Sequence, residues 1–179
     1  MRDQRLIDAG YPSSAQTVLT ELRALNGGEL DVDFLIPTHV HLDHAGAIGR
    51  LSEAMPNAQV LVNEHGLKHL IDPSKLVETA ARLFGDKAMS VYGTPLPLPR
   101  AAPSGRRTAP IGSWGWEEVQ DIPYPGHAWH HMSVFREKER LLIAGDAAGL
   151  YFQGSIFQSQ PRLPPASMKN STWNPSRNS

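Results

Sequence analysis

Cysteine is absent from this 179-residue sequence. The absence excludes disulfide bonds, cysteine nucleophiles and thiolate ligands, so any bound metal must be held by histidine, aspartate or glutamate. The formal net charge is only −1 at pH 7, which gives no electrostatic reason to expect nucleic acid or an anionic membrane as a partner. The sequence also lacks an apolar run long enough to span a bilayer and the apolar core of a signal peptide. We therefore predict a cytoplasmic protein with a small-molecule substrate, and its oligomeric state stays open.

Histidine, in contrast, is concentrated in one short stretch, Thr38-His39-Val40-His41-Leu42-Asp43-His44. The apolar run 32–36 before it predicts a buried strand that ends at Pro37, and a helix is predicted over 45–51. In an extended segment His39 and His41 point to the same side, and Asp43 and His44 fall on the first turn of the helix that follows. Because a neutral imidazole is the commonest protein ligand for transition metals, the stretch predicts a metal site rather than a polar loop with coincidental histidines.

The order of predicted elements favours a layered α/β fold. Strands are predicted to end near Ile7, over 32–36 and over 59–62, and they alternate with helices that begin near Ser14, Ala45, Glu64 and Ser74. The stretch 93–112 is predicted to be a long surface loop, and 132–135 with 141–144 a hairpin. We expect one domain over 1–157 and a poorly ordered tail over 158–179.

Two further clusters extend the histidine stretch: Pro125-Gly126-His127 before the hairpin and Gly145-Asp146 after it. Together with Leu6-Ile7-Asp8-Ala9-Gly10 and His39-x-His41-x-Asp43-His44, they occur in the order and approximate spacing of the metallo-β-lactamase fold superfamily. The sequence resembles most its general hydrolases, of the glyoxalase II and lactonase type, over about the first 150 residues.

The resemblance implies an αββα sandwich with a zinc-type site at one edge of the sheets. It implies that His39, His41 and His127 hold a first metal, that Asp43 and His44 hold a second, and that Asp146 bridges both. Asp8 matches the family's supporting aspartate beside the site. Three neutral imidazoles suit zinc and leave one position for a water whose pKa falls to about 7. Asp43 or Asp146 is then expected to orient this water toward a carbonyl, and iron or manganese are alternative metals.

The resemblance is incomplete at both ends of the sequence. The family supplies a further histidine after the aspartate, but none follows His131, and the family's opening β-hairpin has no counterpart. We therefore expect an incomplete, truncated sandwich in which one zinc is held firmly. The second metal is expected to be weakly bound or absent, and turnover is expected to be impaired.

The leading functional prediction is a metal-dependent hydrolase of a small thioester, lactone or other ester. The alternatives are an iron-dependent oxidoreductase similar to sulfur dioxygenases, and a non-catalytic remnant that binds metal. A nuclease is less favoured because the chain has no basic stripe. Antibiotic degradation is also less expected, because classical zinc β-lactamases commonly place a cysteine at the second metal. His65 and His69 match no ligand position of the family and are predicted to be structural or surface residues. Of His130 and His131, one is expected to line the pocket, and because adjacent strand residues point in opposite directions, both cannot bind one metal.

Overall fold

The structure is a computed structural model that describes residues 4–98, 108–110, 119–123, 126–136, 139–148, 150–152 and 155–157. Six helices are present in these ranges: α1 (Ala15–Leu25), α2 (Leu42–Ala45), α3 (Ile48–Ala54), α4 (Glu64–Ile71), α5 (Ser74–Phe84) and α6 (Asp86–Tyr92). Nine strands are described: β1 (Arg5–Ile7), β2 (Phe34–Ile36), β3 (Gln59–Val62), β4 (Thr108–Pro110), β5 (Val119–Pro123), β6 (Met132–Arg136), β7 (Leu141–Ile143), β8 (Leu150–Phe152) and β9 (Ser155–Phe157). The expected tail over 158–179 lies outside the described residues.

The strands form one parallel and two antiparallel sheets. The first sheet has the order β1-β2-β3-β4 with every neighbouring pair parallel. Strands β5, β6 and β7 form an antiparallel sheet, and β8 pairs with β9. Parallel neighbours require a crossover connection, which α1 supplies between β1 and β2, and α2 with α3 between β2 and β3. This alternation of helix and strand confirms the predicted layered α/β class.

The central strand β2 is buried on both of its faces. Leu35 packs with the helices in one apolar cluster, whereas Phe34 and Ile36 pack with Met132 and Val134 of the antiparallel sheet in another. This arrangement follows from the alternation of side chains along a strand, and it explains why residues 32–36 are continuously apolar rather than alternating. The layers are therefore helices, parallel sheet and antiparallel sheet, with the histidine stretch leaving the carboxyl end of the middle layer.

The single helix predicted over 45–51 is wrong, because the structure has two short helices, α2 and α3, at this point. In one continuous helix the Ala47 amide would bond four residues back, but it donates to the Gly10 carbonyl at 3.1 Å instead. A Cβ at Gly46 would overlap Cδ of Pro12, so only glycine allows the loop after β1 to approach this closely. Packing against that loop separates the two helices.

Five elements were not predicted: α6, β4, β5, β8 and β9. The β4 residues fall within the stretch predicted as a loop, and their pairing with β3 makes that part of the prediction wrong. The three residues of β4 end in a proline and carry no period-two pattern, so their pairing depends on the neighbouring strand. Helix α6 buries none of its residues, which explains the absence of an apolar stripe. The predicted hairpin is confirmed as β6 and β7.

Candidate metal centre

Three predicted ligands converge where the loop after β2 meets the turn before β6. His39 lies in that loop, and His41 is the extended residue directly before α2. The Nε2 atom of His39 is 2.9 Å from Nδ1 of His41, and Nε2 of His127 is 3.0 Å from the same Nδ1 atom. His39 is fully buried, while the other two are partly exposed. Three imidazole nitrogens from two distant parts of the sequence therefore face one point.

Asp146 completes this group from a short 3-10 helix, Gly145–Ala148, that follows β7. Its Oδ2 atom is 3.2 Å from Nε2 of His127 and 3.8 Å from Nε2 of His39. All four ligand atoms lie within 4.8 Å of one another. Ligand atoms held tetrahedrally by zinc at about 2.0–2.1 Å would lie roughly 3.3 Å apart, so the observed spacing fits a metal of this size. Among the residues that the structure describes, this is the only group of three or more potential ligands so arranged.

A second cluster adjoins the first one through the same aspartate. The Oδ1 atom of Asp146 is 3.1 Å from Nε2 of His44, and Oδ2 of Asp43 is 3.5 Å from that nitrogen. The two carboxylate oxygens of Asp146 thus face different clusters, which is the placement that the resemblance implies for a bridging ligand. Among the described residues, this second cluster offers three candidate donors, and they are less compactly arranged than the four of the first. The role of each residue as a ligand stays a prediction.

Asp8 lies behind the second cluster and accepts three kinds of hydrogen bond. Its Oδ1 atom accepts from the Thr38 amide at 2.7 Å, and Thr38 Oγ1 lies 3.0 Å from both carboxylate oxygens. Its Oδ2 atom is 2.9 Å from Nδ1 of His44. Asp8 adopts a left-handed backbone conformation with φ of 58°, which an aspartate tolerates better than most residues. The carboxylate therefore fixes the orientation of the His44 ring. Its supporting role beside a metal stays a prediction.

Burial and charge divide the histidines into two groups. Burial, together with the neighbouring imidazoles, lowers the pKa of His39, and burial and His127 lower the pKa of His41. Both rings are therefore neutral at pH 7, which is the protonation state that binds a metal. The pKa of His44 is raised, because burial, which lowers it, is outweighed by the hydrogen bond and charge of Asp8 and by the carboxylates of Asp43 and Asp146.

Two histidines that sequence analysis left without a role support the site from behind. The Nδ1 atom of His130 accepts a hydrogen bond from the Val40 amide at 3.1 Å, which fixes the loop between the first two histidines. The Nε2 atom of His131 accepts from the Asp146 amide at 3.0 Å. Burial lowers the pKa of both to about 4, so both act as neutral acceptors. Their position directly after the His127 turn was the available signal.

Gly145 explains how Asp146 comes so close to His131. A Cβ on this residue would lie 2.7 Å from Nε2 of His131 and 2.8 Å from Oγ1 of Thr38, and its φ is 54°. Both the close approach and the left-handed conformation favour glycine. The small residue before the aspartate is therefore part of the construction of the site.

His65 and His69 do not join the metal centre. His65 is exposed and its Nε2 atom is 3.6 Å from Oε1 of Glu64. The His69 ring lies 5.9 Å from the His130 ring, but these histidines form no group of ligands within the described part of the chain. Both lie on the outer face of α4.

No helix among the described residues is both long and apolar enough to cross a membrane.

Comparison with known proteins agrees with this geometry. The family model described as the metallo-beta-lactamase superfamily matches residues 6–179. A metallo-beta-lactamase fold-containing protein, ST1585 of Sulfurisphaera tokodaii, is 32% identical over 162 residues, which cover 87% of this chain and 57% of that protein. The probable metallo-hydrolase YflN of Bacillus subtilis is 29% identical over 153 residues, which cover 79% of this chain and 54% of that protein. The chain thus spans a little over half the length of these relatives.

Solved structures give the same result for the fold. The crystal structure of ST1585 from Sulfolobus tokodaii matches with a TM-score of 0.57 and 26% identity, covering 90% of this chain and 60% of that one. The subclass B3 metallo-beta-lactamase MEM-A1, from a soil metagenome library, matches with a TM-score of 0.51 and 29% identity over 74% of this chain and 46% of that one. On the match to the family model and on these relatives, the chain belongs to the metallo-beta-lactamase superfamily.

Proposed function

We propose that this protein is a metal-dependent hydrolase of small thioesters, lactones or other esters. The observation that carries the proposal is the convergence of His39, His41, His127 and Asp146 within 4.8 Å, at the rim of two packed sheets. The donor set fits zinc, because imidazole nitrogens and a carboxylate oxygen are its usual ligands where cysteine is absent. A metal bound there would lower the pKa of a coordinated water and polarise a carbonyl.

The protein's own residues would then orient the reactants. Asp43 is half-exposed, with 47% of its side chain accessible, and its Oδ2 atom lies 3.5 Å from Nε2 of His44. A carboxylate in this position can accept a proton from a water and direct the oxygen lone pair toward a carbonyl carbon. The Asp146 amide donates a hydrogen bond to Nε2 of His131, and this bond holds Asp146 in place. Its two carboxylate oxygens therefore stay directed at the two clusters. These two aspartates are the proposed catalytic residues.

The number of metals follows from the number of donors. The first cluster offers three imidazoles and one carboxylate oxygen. All four donors together would complete a tetrahedral zinc site, whereas the three imidazoles alone would leave the fourth position for a water. The second offers His44, Asp43 and the other oxygen of Asp146. We therefore propose one firmly bound zinc, with iron or manganese as alternatives, and a second metal held weakly.

The test is hydrolysis by the zinc-loaded protein of four compounds: a thioester, a γ-lactone, an aryl ester and a β-lactam. The β-lactam is included because MEM-A1 shares the fold and is a subclass B3 metallo-beta-lactamase. We expect turnover of at least one of the first three, reduced at least about 100-fold in His127→Ala and unchanged in His65→Ala. His65→Ala is the control, because it removes an exposed histidine that lies outside the metal centre.

Different outcomes separate the alternatives. Equal turnover by both variants would contradict the proposal, as would no turnover of any ester by a folded, metal-loaded protein. The same four ligands can also hold a single iron, which is the basis of the oxidoreductase alternative. Oxygen consumption with a persulfide substrate, by iron-loaded protein that hydrolyses no ester, would replace the hydrolase with that second function.

A further inference from the structure

A groove on the outer side of the metal centre is unused by the chemistry described so far. It has a volume of about 480 Å³, and the described residues that line it are His65, Lys68, His69, Ala128, Trp129 and His130. This volume lies within the range of sites that bind small organic ligands. One wall is the exposed face of α4, and the other is the turn that carries His127 to β6.

The His130 ring lies between the groove and the metal centre. The His130 ring lies 5.8 Å from the ring of His41 on one side and 5.9 Å from the ring of His69 on the other. Ala128 and Trp129, which line the groove, directly follow His127 in the chain. The groove therefore adjoins the metal centre both along the chain and in space.

The chemistry of the lining favours an aromatic or aliphatic body with an anionic end. Trp129 is 51% exposed, an unusual degree for so large an apolar side chain, and it offers a flat surface. None of the described lining residues is acidic. Lys68 is exposed and has no carboxylate within ion-pair distance in the described part of the chain. The adjoining hollow is lined by Lys68, His69, Ile71, Asp72 and Lys75, so it carries two ammonium groups and one carboxylate.

His69 adds a neutral polar group to this cationic surface. Burial and the neighbouring charges of Lys68 and Lys75 lower the pKa of His69. The imidazole is then uncharged at pH 7, and it can donate or accept one hydrogen bond. The positive charge available to a ligand in the groove itself therefore comes from Lys68.

We propose that this groove is a substrate subsite for a carboxylate-bearing group, in which Lys68 pairs with the carboxylate and Trp129 packs against the chain that carries it. The inference rests on the proposed hydrolase function, and it narrows the substrate to esters or thioesters with an anionic end. A carboxylate that reaches an ammonium group while the adjoining carbons contact an aromatic face gains both a charge and an apolar contribution.

Binding tests the subsite without any turnover. The probes are 4-phenylbutyrate and its neutral counterpart 4-phenylbutanamide, titrated into the zinc-loaded protein and followed by tryptophan fluorescence. Trp129→Phe identifies the part of the signal that comes from the groove. We expect the carboxylate to bind about fivefold more tightly than the amide, as for a partly exposed ion pair, and Lys68→Met to abolish this difference. Methionine retains the apolar stem of lysine, and Lys87→Met is the control, since Lys87 is an exposed residue of α6.

The outcomes distinguish the subsite from the hydrolase proposal. A carboxylate held by the metal would keep its affinity in Lys68→Met, and that result would overturn the subsite. Equal affinity of the wild type for the two probes would overturn it as well. If an ester is hydrolysed, KM for a carboxylate-terminated ester should rise about fivefold in Lys68→Met with kcat unchanged, while KM for a neutral ester stays constant. Selective binding without hydrolysis would uphold the subsite and contradict the hydrolase.

Discussion

Replacing Asp8 with asparagine should weaken the second metal cluster by changing one proton on His44. The aspartate offers two acceptor oxygens, one to the Thr38 amide at 2.7 Å and one to Nδ1 of His44 at 2.9 Å. An asparagine has a single acceptor oxygen, and the Thr38 amide can only donate. The oxygen of the new amide would therefore face Thr38, and its NH2 group would face His44.

The donor in this position forces His44 into its other tautomer. Nδ1 must then accept, so the proton moves to Nε2, the atom that lies 3.1 Å from Asp146. A protonated Nε2 has no lone pair for a metal. Loss of such a supporting hydrogen bond weakens metal affinity about 10–100-fold, which is about 1.4–2.8 kcal/mol. The first cluster has no bond to Asp8, and its affinity should not change.

Calorimetric titration of metal-free protein with zinc measures both affinities. We expect Asp8→Asn to lose the weaker binding event and to retain the tighter one. Asp33→Asn is the matched control, because Asp33 also accepts from a backbone amide, that of Gln4, at 2.8 Å. Unchanged affinity at both sites in a folded Asp8→Asn protein would refute the argument. Loss of the tighter event would show that Asp8 supports the whole centre instead.

Three further predictions concern stability. Leu35 is fully buried, so Leu35→Ala should lower the free energy of unfolding in urea by about 2–5 kcal/mol, and a change below about 1 kcal/mol would contradict the described core. A Cβ on Gly49 would overlap the Leu96 carbonyl oxygen, so Gly49→Ala should cost about 1–3 kcal/mol in the same measurement, whereas a neutral effect would argue against this contact. Because the pKa of His44 is raised in the folded protein, protonation of its ring stabilises the metal-free fold. This contribution is fully present below pH 6.5, the ordinary pKa of histidine, and it is lost as the pH rises through the pKa of His44 in the folded state. The difference in unfolding free energy between the wild type and His44→Gln should therefore shrink from pH 5.5 to pH 8.5, and a constant difference would contradict the assigned shift.

The fold class could be predicted from the sequence because its central elements are strongly patterned. Strand β2 is buried on both faces, so its residues are continuously apolar, and the hairpin of β6 and β7 has apolar strands around a charged turn. The division between α2 and α3 could not be predicted, since it depends on Gly10, a residue more than 30 positions earlier in the sequence. Long-range packing of this kind leaves no local pattern.

The candidate site, like the fold, could be predicted only in part. Its candidate ligands could be predicted because histidine and aspartate in a fixed order carry their chemistry in the side chain. The structure brings four of the six candidates into one group, and the other two, Asp43 and His44, lie beside it. The supporting groups were harder to identify. Thr38 and His131 act through hydrogen bonds to Asp8 and to the Asp146 amide, and a hydrogen bond between distant residues has no signature in the sequence.

Metal content per chain tests the central claim most directly. Protein purified without added metal should contain about one zinc, iron or manganese ion per chain in the wild type and in His65→Ala, and far less in His127→Ala. Two tightly held ions would contradict the weak second cluster. A folded wild-type chain that binds no metal when supplied with it, or equal metal content in His127→Ala, would contradict the proposed metal centre.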